Sequence, residues 1–298
     1  MHFPTTTPAL LLSLLFAPSA LSAPCNGYDE LCSRSYSNIT FMGTHDSAMA
    51  GSHDNQFNDQ EISLTDQLNM GIRFLQAQTH YTDGHLEMCH TTCIPDISDV
   101  GPLSDYLTTV KTFLDGNANE VVTLLLTNGD YVPVGNFSDT FASVGLDKYA
   151  FTPSSSPLPI GSWPTLGQLI SDNTRLVVFL DYDADVSVAP YILDEFAYFF
   201  ETPYDVTDAS FSNCSIDRPA GASAEGRMYL VNHYLDNSFL GIDTPDYDDA
   251  GTTNGAASIN ANVAECVGNY TNNPNVILVD WVDKGDVISV GKALNGLS

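Results

Sequence analysis

Phe41-Met-Gly-Thr-His-Asp-Ser47 is the stretch on which the reading of this chain turns. Its apolar first half continues the run from Ile39, so Ile39–Gly43 is predicted to be a strand. That strand empties into Thr44-His45-Asp46, which sets an imidazole beside a carboxylate at its C-terminal end. A second imidazole follows in His85-Leu-Glu-Met-Cys-His90. Two histidines placed at strand ends can act as general base and general acid of one reaction. Only histidine moves a proton near neutrality without a large environmental shift.

Further apolar, β-branched runs flank this stretch. Strands are predicted at Arg73–Gln78, Glu120–Thr127, Arg175–Asp181, Arg227–Asn232 and Asn275–Trp281. Helical patterns separate most of them. Ser63–Met70 opens with capping residues and stops at Gly71. Leu103–Leu114 carries apolar residues at 103, 106, 107, 110, 113 and 114, a helical stripe. Ala189–Phe200 is predicted as a third helix. Strands apolar on both faces, alternating with helices, imply a parallel sheet covered by helices. The fold expected is α/β, an irregular (β/α)8 TIM-type barrel in a single domain over 24–298, with an open doubly wound sheet as the alternative.

Polar residues gather where these strands end, the functional face of a β/α barrel. The first strand reaches His45 and Asp46; the second, Gln76, Gln78 and His80; the third, Asn128; the fourth, Asp181; the fifth, Asn232 and His233; the last, Asp280. Each would be costly inside an apolar barrel unless it served a site. Gln76, Gln78 and His80 share strand parity and are expected to face the interior, whereas Arg73 should face the helices.

Composition bounds the rest. Residues 1–23 contain no Lys, Arg, Asp or Glu and include the run Ala9–Ala17, so they read as a cleaved secretory signal peptide. That run is shorter than the roughly 20 residues needed to span a bilayer. The chain has 37 acidic against 9 basic residues and a formal charge of −28. Such a charge argues against nucleic acid and anionic membrane surfaces as partners. Its simplest cause is solubility in an acidic external medium. Six cysteines in a secreted context imply disulfides, and pairing neighbours is the simplest of 15 connectivities. That gives Cys25 with Cys32, Cys89 with Cys93 and Cys214 with Cys266. Cys89-His-Thr-Thr-Cys93 lacks a second Cys/His pair at zinc-finger spacing. Sequons at Asn38, Asn136, Asn213 and Asn269 are candidate glycosylation sites. A monomer without stable membrane insertion, released into the medium, is expected; the chain's end lacks a GPI-type hydrophobic tail.

Gly43-Thr-His-Asp-Ser47, Gly71-Ile-Arg-Phe74, Leu86-x-x-x-His90 and Leu278-Val-Asp-Trp281 occur in order. Together they resemble the X domain of phosphatidylinositol-specific phospholipase C, and most closely the secreted fungal-type PLC-like phosphodiesterases. The motif similarity covers about residues 38–130, and topology extends it to the end. The resemblance implies a distorted TIM barrel and metal-independent, ribonuclease-like chemistry on a lipid, glycan or other small phosphodiester. It implies His45 as base, His90 as acid, Asp280 orienting His45, and Asp46 supporting His90 or the leaving group. It also marks departures. Gln76 and Gln78 stand where bacterial members carry an aspartate and a phosphate-binding arginine, and where calcium-dependent members carry acidic ligands. Thr127 and Asp181 stand near positions expected to be basic. His80, His233, Arg218 and Arg227 are the candidates to replace the lost cation. Gln76, Gln78, His80, Asn128, Asp181, Asn232 and His233 are the candidate substrate contacts. No cofactor is expected, a divalent cation being the open alternative. The departures leave two other readings: a barrel redeployed to a sugar or other non-phosphate substrate, and an inert binding protein.

Overall fold

A computed structural model describes His2, residues 23–240 and residues 242–298. The predicted signal segment thus falls almost wholly outside the described residues. Eight parallel strands form one curled sheet: β1 (Phe41–Thr44), β2 (Phe74–Thr82), β3 (Val122–Asn128), β4 (Leu176–Leu180), β5 (Ile192–Asp194), β6 (Phe199–Glu201), β7 (Met228–Asn232) and β8 (Val276–Val279). Each pairs with its neighbour in chain order, and β8 returns to β1 through Phe41↔Val276. The circle breaks once. Among the described residues no pairing joins β5 to β6.

The six predicted strands are all present. The third predicted helix is not: Ala189–Phe200 instead forms β5, the helical turn Glu195–Tyr198 and β6. The stripe at 189, 192, 193, 196, 197 and 200 fits a helix equally well. Parallel pairing overrides it, with Ile192 and Leu193 in register with Val178 and Phe179. Phe199 then points inward, edge-to-face against Phe179 at 5.1 Å.

Alternation along the strands builds two apolar layers. Phe41, Phe74, Leu125, Val177, Phe179, Leu193, Phe199, Leu230 and Leu278 fill the barrel. Met42, Leu75, Leu124, Val178 and Ile277 face outward. Around them pack α1 (Leu64–Met70), α2 (Leu103–Gly116), α3 (Gly135–Val144), α4 (Leu166–Ser171), α5 (Ala256–Tyr270) and α6 (Val287–Leu294). Gly43 is required by the close approach of β1 to its neighbours. A Cβ there would lie 2.8 Å from Leu278 Cδ2 and 3.1 Å from the Phe74 carbonyl. Arg73 faces outward as expected, paired with Glu120 at 2.7 Å and lying over the Phe113 ring of α2. All three neighbour disulfides form. Among the described residues no helix is long and apolar enough to cross a membrane.

Candidate active site

The apolar filling stops at Leu125 and Leu278, which floor a cavity of about 420 Å³ at the C-terminal ends of the strands. His45 enters it directly after β1. Its Nδ1 lies 2.9 Å from Asp280 Oδ1, at the end of the adjacent β8. The Tyr234 ring stacks on its face, with centroids 3.9 Å apart and planes 6° from parallel. The two chain positions just past this pair have left-handed backbones, φ +33° at Asp46 and +49° at Trp281. Such strain in non-glycine residues persists only where surrounding structure enforces it, and it concentrates at functional sites.

The Gln60 side-chain amide helps enforce it, donating to the carbonyls of His45 and Val279. The neighbouring Asp59 is fully buried between the two imidazoles. Its Oδ1 lies 3.8 Å from His45 Nδ1 and its Oδ2 lies 3.7 Å from His90 Nε2. Sequence reading missed Asp59, because Asn55-Gln-Phe-Asn-Asp-Gln60 looks like an ordinary polar loop. Only the folding of that loop back onto Met49 and Trp281 buries it.

His90 sits past the strand His85–Cys89, in the loop closed by the Cys89–Cys93 bond. Gln78 Oε1 accepts from the Thr91 amide and holds that loop. Gln76 Oε1 accepts from the Asp46 amide. Both glutamines line the cavity, but these bonds serve the protein. Asp46 lies behind them, buried, accepting from the Gln78 amide through Oδ1.

Of the expected contacts, His45, His90, Gln76, Gln78, Asp181 and Asn232 line one cavity. Three lie elsewhere. His80 turns outward to Asp130 at 3.2 Å. Asn128 closes the turn after β3 through Val132 and Tyr182. His233, one residue out of phase with Asn232, points away from the barrel interior to Asn262 and the Thr253 carbonyl, both at 2.9 Å. Of the candidate replacement cations, Arg218 reaches the cavity. Its Nε and Nη2 donate to Glu201 Oε2 at 2.9 and 2.5 Å. Arg227 is bound to backbone carbonyls of Phe196 and Ser223.

Charge shapes the protonation states. Burial opposes charge on His45, but Asp280, with Asp46 and Asp236, outweighs it and raises the imidazole above its ordinary value. Burial, reinforced by His45 and His80, pushes His90 down to about 4. Burial together with Asp280, Asp46 and Asp236 holds the Asp59 carboxyl well above the usual carboxylate range. β2 offers glutamines where a hard cation would want carboxylates. Two other triplets have potential ligand atoms within 4.8 Å of one another: Asp46, Asp59 and His90, and His45, Asp59 and Asp280.

The curled parallel barrel is shared with solved bacterial phospholipases. The fold matches phosphatidylinositol-specific phospholipase C from Listeria monocytogenes with a TM-score of 0.56 at 14% identity, covering 89% of this chain and 95% of the other. It matches a mutant of the Staphylococcus aureus enzyme with a TM-score of 0.60 at 14% identity, covering 89% and 93%. At that identity the likeness is one of fold. The family model described as PI-PLC X 1 matches residues 31–295, and the chain belongs to that family. It is similar to PI-PLC X domain-containing protein 1 of Arthroderma benhamiae, 48% identical over 300 residues, 97% of this chain and 96% of the other. It is also similar to a protein of the same fungus named "Uncharacterized secreted protein", 38% identical over 289 residues, 92% of this chain and 64% of that one.

Proposed function

We propose that this protein is a secreted phosphodiesterase in which His45 and His90 exchange protons with one phosphodiester. The observation that carries the reading is geometric: both imidazoles line one cavity, and Asp280 engages Nδ1 of His45. A carboxylate accepting from Nδ1–H leaves Nε2 with its lone pair free, the tautomer a general base needs. His45 takes the proton of the attacking hydroxyl as its oxygen bonds to phosphorus. His90 gives a proton to the leaving oxygen as the other P–O bond breaks. Asp46 supports the β2 end of the site through the Gln78 amide. The membership in the PI-PLC X family supports phosphodiester chemistry in general. The uncharged leader-like segment, the disulfides and the relative named as secreted support export.

In the free cavity His45 holds the proton more tightly than His90, the reverse of the working arrangement. An anionic phosphate beside His90 favours its protonated form, the form the acid role needs.

The test is hydrolysis of phosphatidylinositol, glycerophosphodiesters and bis-p-nitrophenyl phosphate by wild type, His45→Ala and His90→Ala. Turnover by wild type that both substitutions abolish supports the reading. No turnover on any of these substrates would move the search to the second reading, a sugar or other non-phosphate substrate. What favours that second reading is the number of carboxylates facing the same cavity.

A further inference from the structure

The wall of the cavity beyond the histidines is acidic. Asp181, Glu195, Glu201, Asp205, Asp236 and Asp243 line it, and Arg218 is the one Lys or Arg among the lining residues. Arg218 is already held by Glu201 and lies over the Tyr204 ring at 4.6 Å. Acidic residues alone make no site, but two of these are buried with an oxygen unpaired. Glu195 is 1% exposed; its Oε1 has no donor, and its carboxyl, raised by burial and by Glu201, shares a hydrogen bond with Glu201. Asp181 is 4% exposed; its Oδ1 accepts from the amides of Asn128 and Tyr182, while its Oδ2 has no partner. A buried carboxylate oxygen without a donor is costly, so both oxygens call for one from a bound molecule.

We propose that this wall binds a protonated primary amine, so that the preferred substrate is a zwitterionic phosphodiester with an aminoalkyl or amino-sugar alcohol. The assignment rests on the two-histidine reading for the phosphate end alone. Three features select an ammonium. Its N–H groups supply the donors that Glu195 Oε1 and Asp181 Oδ2 lack. Its charge offsets the wall where an incoming phosphate would otherwise be repelled, which a neutral polyol cannot do. Among the described residues, the triplets with ligand atoms close enough for one metal ion lie at the histidines or at Cys89, Cys93 and Asp99; none is built from the acidic wall alone. Burial also raises the carboxyls of Asp181, to about 6, and, with Asp280 adding to it, of Asp236, to about 7.

Calorimetry on the His45→Ala protein at pH 7 would compare ethanolamine and glucosamine with glycerol and inositol, independently of turnover. The amines should bind at least tenfold more tightly. The wild-type ratio of kcat/KM for glycerophosphoethanolamine over glycerophosphoglycerol should fall at least tenfold in Asp181→Asn and in Glu195→Gln. Equal binding of amines and polyols would overturn the proposal. Choline binding as tightly as ethanolamine would overturn the hydrogen-bonded assignment. Amine binding with no turnover of any phosphodiester would leave this site standing and remove the phosphodiesterase reading. Turnover without amine preference would do the reverse.

Discussion

Asp280 Oδ1 lies 2.9 Å from Nδ1 of His45, joining the last strand of the barrel to the first. The bond fixes the imidazole tautomer and favours its charged form, while Tyr234 holds the ring plane. Asp280→Asn preserves the shape and removes the charge. It should lower kcat by about 10²–10⁴-fold, the usual range for a disabled acid–base group. Circular dichroism should show the fold unchanged. A loss below tenfold in a folded variant would remove Asp280 from the mechanism.

The two histidines should give a bell-shaped dependence of kcat/KM on pH. The acid limb should fall near pH 4, where burial has pushed His90, and the alkaline limb above 6.5, where Asp280 has moved His45. These limbs are the same whichever histidine donates, because the profile reports the pair. A profile that falls neither below pH 4 nor on the alkaline side, measured with a substrate that does not titrate there, would exclude the pair.

Stability should be greatest on the acid side. Burial raises the carboxyls of Asp46 and Asp236 to about 7 and of Asp181 to about 6, from an ordinary 3.8. A raised carboxyl stabilises the fold fully below its ordinary value and loses that contribution as pH climbs through its folded value. His90, lowered from 6.5 to about 4, acts in the opposite sense over an overlapping window. His233, lowered by burial, acts with His90, but the buried carboxyls of Asp59, Glu195 and Asp280 are raised as well, so the carboxyls outnumber the two histidines and the growing net negative charge adds to them. The melting temperature should therefore fall by several degrees between about pH 4 and 7. A rise across that window in differential scanning fluorimetry would contradict these protonation states.

The barrel was legible where side-chain type and spacing agree. Ile39–Gly43 and Asn275–Trp281 are apolar on both faces and end in chemistry-bearing residues, so they disclose both a parallel strand and a site. Ala189–Phe200 was not legible, because its apolar positions satisfy a helix as well as two short strands. Only registry with Val178 and Phe179 chooses between them. The same ambiguity hid Glu195, which the turn between those strands turns into the cavity. Parity alone separates Asn232, which lines the cavity, from His233, which does not. Asp59 depends on a loop folding back over β1, a tertiary event that no local pattern announces.

Asp59 separates two accounts of how the phosphate is accommodated. If its carboxyl stays protonated between the imidazoles, as burial and the neighbouring acids favour, Asp59→Asn is nearly isosteric and removes a group that loses its proton at high cost. That variant should melt about 2–4 °C higher than wild type at pH 7 and equally at pH 4, by the usual conversion of about 1 kcal/mol for a domain of this size. EDTA should leave wild-type turnover within twofold. If instead Asp59 holds a divalent cation with Asp46 and His90, EDTA would abolish turnover, added metal would restore it, and Asp59→Asn would lose that restoration. His90 would then be a ligand with its lone pair engaged and could not serve as the acid, so that outcome would end the two-histidine mechanism while leaving the fold and the family as they stand.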